Sequence, residues 1–322
     1  MLIPPPPGTA YHRLARTSAH RWWRPVLGVP FIAVGIVVLA LFIDVSIGVA
    51  ADLTSQPIGS DGMAGFGALG ELASGFLIIA ALLPLVLLTA RWIERRPAGT
   101  LSSVTGRLRW RWLLTCLPIA FLAIVAFLAA GVGVSALTGE DLDLGDSLVG
   151  WGPFATSMLV LLLVVPPQAA AEEYVTRGWL LQSVGAWCRT PWFPIAVQAL
   201  VFAALHGWGT PWGFADLFIF GAITGWLTVR TGGLEAAIVL HVMNNLLGST
   251  IGAAYGDLGM DETAADMPWQ MAAIDLPVLL AYAAVILWLA RRRGIATRTP
   301  AIPAPAVPAA TLEARDRSPV AV

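Results

Sequence analysis

Charge is scarce in this chain. Only 12% of its 322 residues are charged, against 57% apolar residues and a mean hydropathy of +0.75. That balance lies outside the range of soluble globular domains and points to a polytopic membrane protein. Lysine is absent, all 19 basic residues being arginine; this fits a GC-rich coding sequence and carries no mechanistic weight. Only two cysteines occur, Cys116 and Cys188. They lack metal-ligand spacing and fall near the expected cytoplasmic side, where disulfides seldom persist, so no disulfide is expected. Neither an HExxH zinc helix nor a GxSxG nucleophile elbow is present, which counts against those hydrolase classes. No strand alternation and no repeat competes with a helical reading.

Long apolar runs are what the sequence has. A helix needs about 20 apolar residues to span the hydrocarbon core, and such runs occur at about 26–49, 70–92, 111–137, 155–187, 192–208, 214–230, 233–252 and 272–290. The fold expected is therefore an all-α polytopic membrane protein of about eight transmembrane helices with an intramembrane polar cavity. The run that opens near residue 26 is too long for a signal-peptide core and reads as the first span. Residues 1–25 are expected to be a disordered basic cytoplasmic segment, 26–292 a single transmembrane domain, and 293–322 a disordered Pro/Ala-rich cytoplasmic tail.

Arginine placement tests this topology, because short cytoplasmic loops are enriched in basic residues. Arg13, Arg16, Arg21 and Arg24 precede the first span, Arg91, Arg95, Arg96, Arg107, Arg109 and Arg111 fill the second loop, and Arg189, Arg230 and Arg291–Arg293 fall at later loops of the same parity. The intervening loops are acidic, with Asp52 and Asp61, then Glu140, Asp141, Asp143 and Asp146, then Asp257, Asp261, Glu262 and Asp266. Eight crossings of the cell membrane with both termini cytoplasmic satisfy every loop.

An ionisable residue within the membrane is expensive and normally faces a partner or a cavity. Glu71, Asp216 and Asp275 fall at outer helix ends and Glu235 in a first helical turn, where the dipole favours it; these need no function. Glu172, Glu173 and Arg177, His206, and His241 with Asn245 remain. At about 1.5 Å rise per residue, the three helices bring these groups to a common depth, although Pro166 and Pro167 could kink the fourth helix. Glu173 and Arg177 share a helical face as i,i+4 neighbours, whereas Glu172 points about 100° away. Glu173 with Arg177 thus reads as an internal ion pair, leaving Glu172 free to meet other helices. A carboxylate and a histidine in a low-dielectric cavity can activate a water, and an imidazole and an amide at i,i+4, His241 and Asn245, can donate to an oxyanion. Glu172, His206 and His241 could equally ligate a divalent metal such as zinc. Gly221 and Gly225 read as close-packing sites, Phe202 as a wall residue, and the tryptophans as interfacial anchors. Taken singly, each polar group could be interhelical glue; several expensive groups at one layer are more than glue requires.

The ordered set Glu172-Glu173-x-x-x-Arg177, Phe202-x-x-x-His206 and His241-x-x-x-Asn245 resembles the CPBP intramembrane proteases, the type II CAAX prenyl endopeptidases and their bacterial relatives. Gly178 after the arginine, Phe218-x-x-Gly221-x-x-x-Gly225 and Thr231-Gly232 extend the likeness over roughly residues 155–250. Val175-Thr176 departs from it, since relatives often carry a bulky aromatic just before the arginine. The resemblance implies an eight-helix fold with a conical cavity open toward the cytosol. It implies that Glu172 and His206 activate water, that His241 and Asn245 stabilise the oxyanion, and that Glu173, Arg177 and Phe202 support them. The expected function is hydrolysis of an amide bond in a membrane-associated or lipidated peptide or protein, with membrane lipids as partners and no nucleic acid. The alternatives are a non-catalytic scaffold of the same fold, or a proton-coupled transporter, against which the absence of inverted repeats speaks.

Overall fold

Eight helices connected by short segments form the computed structural model, which describes residues 1–57, 65–138, 147–259 and 263–301. They are α1 Trp23–Leu53, α2 Gly67–Ile93, α3 Trp110–Thr138, α4 Trp151–Gly185, α5 Trp192–Leu205, α6 Pro211–Thr231, α7 Glu235–Tyr255 and α8 Trp269–Arg292. Seven are long and apolar enough to cross a membrane. The exception is α5: with 14 residues it covers only about 21 Å at 1.5 Å per residue, short of a full span. The run expected to continue to residue 208 stops because His206 follows the last helical turn and Gly207 takes φ +97°, a conformation that favours glycine. Among the described residues there is no strand, only two isolated bridges. Asp61, Glu140, Asp141, Asp143, Asp146, Asp261 and Glu262, which support the acidic-loop reading, lie outside the described residues.

The apolar runs divide into lipid-facing and packed surfaces. On α1 the side chains of Val34, Val37, Val38, Leu41, Phe42 and Val45 are exposed, as befits a helix solvated by hydrocarbon. Trp22, Trp92, Trp110, Trp187 and Trp192 are exposed at one end of the bundle, and Trp151, Trp208, Trp212 and Trp269 at the other, two belts of the kind that mark membrane interfaces. By contrast α6 and α7 are mostly enclosed. A Cβ on Gly221 would lie 2.9 Å from Ala199 Cα, and one on Gly225 2.6 Å from Gln198 Nε2, so these glycines let α6 lie directly against α5. Pro166 and Pro167 do not break α4, which stays α-helical to Glu173 and then takes a wider π-helical turn over Tyr174–Leu180.

One face of the bundle is closed by chain that the composition suggested was disordered. Tyr11 and Leu14 are fully buried, and the Tyr11 hydroxyl donates to the Leu101 carbonyl. Thr299 pairs with Thr9, its amide donating to the Thr9 carbonyl and its hydroxyl accepting from the Thr9 amide at 2.8 Å. Residues 1–22 and 293–301 are thus anchored to the bundle at a few buried side chains while much of their length stays exposed: a Pro- and Ala-rich stretch needs only a few anchors to dock once a groove is present. Between them the loop before α3 threads under the core. Val104 N–H donates to Gly232, Leu234 N–H donates to Ser102, and Arg109 pairs with buried Glu235 at 2.6 Å while also bonding the Ala296 carbonyl. Every described arginine except Arg177 lies on this face or at the helix ends that meet it. The expected disorder of 302–322 falls outside the described residues.

Candidate active site

The last α-helical turn before the π segment of α4 presents the two glutamates to different surroundings, as their 100° separation requires. Glu173 is fully buried. Its Oε1 meets Arg177 Nη1 at 3.1 Å and His241 Nδ1 at 2.8 Å. Arg177, also fully buried, donates from Nε to Thr224 and from Nη1 to Thr176 at 2.9 Å, and its guanidinium lies 4.0 Å from the ring centroid of Phe202. Thr176, the departure from the family pattern, therefore supplies one of the arginine's acceptors. A buried charge needs such partners, since an unpaired one would cost several kcal/mol, on the order of 3–5.

Glu172 faces the other way, into a cavity of about 740 Å³. Its Oε1 accepts from Gln168 Nε2 at 2.6 Å, and Gln168 Oε1 accepts from Asn245 Nδ2 at 3.1 Å. One amide thus joins the carboxylate on α4 to the asparagine on α7. Glu172 Oε2 makes no hydrogen bond and lies 3.5 Å from His241 Nε2, too long for one. His241 stands between the two glutamates. Because Nδ1 is turned to Glu173, Nε2 of a neutral ring would offer a lone pair to a carboxylate oxygen; a proton on either group removes that repulsion.

His206 lines the same cavity without bonding to Glu172. Its Nδ1 is 2.8 Å from the Phe202 carbonyl, which can only accept, so Nδ1 carries hydrogen and Nε2 of the neutral ring is an acceptor. Phe202 is the hub beneath, its ring 4.5 Å from that of His206, 5.8 Å from His241 and 5.8 Å from Phe220, centroid to centroid. The structure thus gathers Glu172, Glu173, Arg177, Phe202, His241 and Asn245 into one bonded or packed cluster and sets His206 at its edge. The metal reading does not fit. Among the described residues no three His, Cys, Asp or Glu side chains are placed to hold an ion.

Several residues of this site escaped the sequence reading. Gln168 carried no signal beyond being polar within an apolar run, four residues before Glu172. Asp216 and Asp275, expected to be helix-end acids, are instead buried and hydrogen-bonded to each other across α6 and α8. They line a small cavity of about 50 Å³ on the far side of His206, His241 and Asn245. Both lie more than one turn inside α6 and α8, which begin at Pro211 and Trp269, ahead of the apolar runs that the sequence marks. The opening of the main cavity also differs from expectation. Its walls rise from Thr176 to Leu72, Gly248, Ser249, Gly259 and Thr263, away from the arginine-rich face, which the packed termini close.

Fold and site together define a class: an all-helical, multi-pass membrane protein with a carboxylate–imidazole cluster on the floor of an apolar-walled cavity. Residues 153–247 match the family model described as Rce1-like, type II CAAX prenyl endopeptidase Rce1-like, a protease family, and the resemblance drawn from the motifs holds. The matched stretch contains every residue of the cluster. The chain is also 24% identical over 230 residues to the uncharacterized protein YyaK of Bacillus subtilis (strain 168), covering 68% of this chain and 75% of that one. It is 26% identical over 180 residues to an uncharacterized 24.3 kDa protein of Escherichia coli, covering 54% of this chain and 77% of that one. No solved structure matches.

Proposed function

We propose that this protein is an intramembrane endopeptidase, akin to the CAAX-type proteases, that hydrolyses an amide bond in a membrane-associated peptide or protein. The observation that carries the reading is Glu172: a carboxylate with one oxygen fixed by Gln168 and the other unbonded, facing a cavity beside an imidazole that Glu173 and Arg177 hold in place. Glu173 is sealed inside the bundle, whereas Glu172 lines the cavity where a substrate can reach it.

In this mechanism a water on the cavity floor gives one proton to Glu172 as its oxygen attacks the carbonyl carbon, while His206 Nε2 accepts a hydrogen bond from the O–H that remains. The charge that develops on the carbonyl oxygen is met by amide N–H groups of Asn245 and Asn244, which line the cavity. Collapse breaks the C–N bond, and the proton held by Glu172 passes to the leaving amine. His241 acts as a positioning residue, its Nδ1 held by Glu173, rather than as the oxyanion donor that the resemblance implied. The reading sets the protein in the cell membrane with both described ends cytoplasmic, an orientation that the arginine-rich loops support.

The test incubates purified wild type and Glu172→Ala, in nanodiscs, with lipidated and unlipidated C-terminal peptides and reads products by mass. Cleavage by wild type alone is the expected result. Cleavage by neither, with both proteins folded, overturns the proposal in favour of a non-catalytic scaffold, and solute uptake into proteoliposomes without a change of mass would favour a carrier.

A further inference from the structure

The two ends of the site are built differently. Toward the arginine-rich face, the chain below Arg177 is solid: the Tyr174 hydroxyl bonds Ser102 at 2.7 Å, and Tyr11 donates to Leu101 from beneath. Gly178 has the Leu101 carbonyl 3.7 Å from where its Cβ would stand. Nearby, buried Arg96 ties this loop to α4, donating to Glu94 and Thr100 and, from Nη1, to Gln182. These are backbone and buried side-chain contacts from three separate segments, and such a floor does not admit an extended peptide. In the opposite direction the cavity widens, with Leu72, Phe76 and Ile79 of α2 forming one wall and Gly248 and Ser249 of α7 the other. Its rim is Gly259 and Thr263, in the connection between α7 and α8.

Positive loops stay in the cytoplasm, so the solid face is the cytoplasmic one. We infer that substrate reaches Glu172 from the extracytoplasmic side, as an apolar peptide segment of a membrane or exported protein that enters between α2 and α7. The inference rests on the peptidase reading for what happens on the cavity floor, but the direction of access stands on packing and charge alone. A cavity of about 740 Å³ is in the range of sites that enclose a ligand, and its apolar upper walls suit side chains or an acyl group leaving the bilayer. Cytosolic prenylated proteins would have to cross the closed face to reach the carboxylate.

Thiol accessibility tests this without any substrate. In a Cys188→Ser background, where buried Cys116 is unreactive, Ser249→Cys reports the cavity wall, Gly259→Cys the rim, and Thr105→Cys, on an exposed residue of the arginine-rich face, the other side. A membrane-impermeant maleimide is applied to spheroplasts and to inverted vesicles. The expected result is labelling of Ser249→Cys and Gly259→Cys in spheroplasts and of Thr105→Cys only in inverted vesicles. Labelling of the two cavity positions only in inverted vesicles overturns the inference, whether Thr105→Cys goes with them or not. Should Ser249→Cys fail to fold, Gly259→Cys carries the same decision. Because the readout is a thiol adduct, loss of the peptidase reading leaves this result intact, and the reverse also holds.

Discussion

The two sides of the Glu172–Glu173 pair differ in how completely they are buried. Behind the pair, Glu173, Arg177, Thr176 and Thr224 form a polar network capped by the rings of Phe202 and Phe220, every member nine-tenths or more buried. In front, Glu172, Asn244, Asn245 and His206 stand partly exposed on a cavity, with capacity to spare. The rear region is sealed away from any substrate; its work is to fix His241. The front region holds too few bonds to stabilise anything, which is what a site that must bind and release substrate requires. Adjacent glutamates thus take opposite roles because one helical step separates a closed environment from an open one.

Substitutions should break this contrast in a graded way. Arg177→Ala leaves Glu173 buried without its counter-charge and should cost about 3–5 kcal/mol, seen as a large drop in the thermal unfolding midpoint in detergent together with loss of hydrolysis. Asn245→Ala touches only the front region. It should lower kcat by about 10²-fold with KM nearly unchanged and leave the unfolding midpoint close to wild type. Gly221→Val, which forces α5 from α6 beneath both regions, should destabilise by about 1–3 kcal/mol through overpacking, measured by the same unfolding assay.

The smallest effect lies in the terminal cap. Burial, with Arg13 nearby, holds the His12 imidazole below its ordinary value of 6.5. A histidine with a depressed pKa contributes stability that is fully present above its unfolded value and is lost as pH falls through the folded one. Hydrogen exchange at Leu14 and His20, corrected for intrinsic rate, should therefore rise as pH drops below about 6.5, and His12→Leu should flatten that dependence.

Much of this contrast was written in the chain. The eight helices follow from apolar runs, and the separation of Glu172 from Glu173 and Arg177 follows from helical geometry alone. The partner of His241 was not legible: i,i+4 spacing set it beside Asn245, but which carboxylate it would meet depends on how α4 and α7 rotate against each other. Asp216 and Asp275 were misread because each lies near the end of its run, and only packing of α6 on α8 shows that they face one another. The docked termini were hidden by composition, because proline and alanine dominate the count while Tyr11, Leu14 and Thr299 make the contacts.

The most direct measurement compares Glu172→Gln with Glu173→Gln, reading thermal unfolding and peptide hydrolysis on the same samples. The account predicts that Glu172→Gln unfolds with wild type yet hydrolyses nothing, while Glu173→Gln loses stability and activity together. A Glu172→Gln protein that still cleaves, or a Glu173→Gln protein as stable as wild type, would contradict the division of labour between the two glutamates.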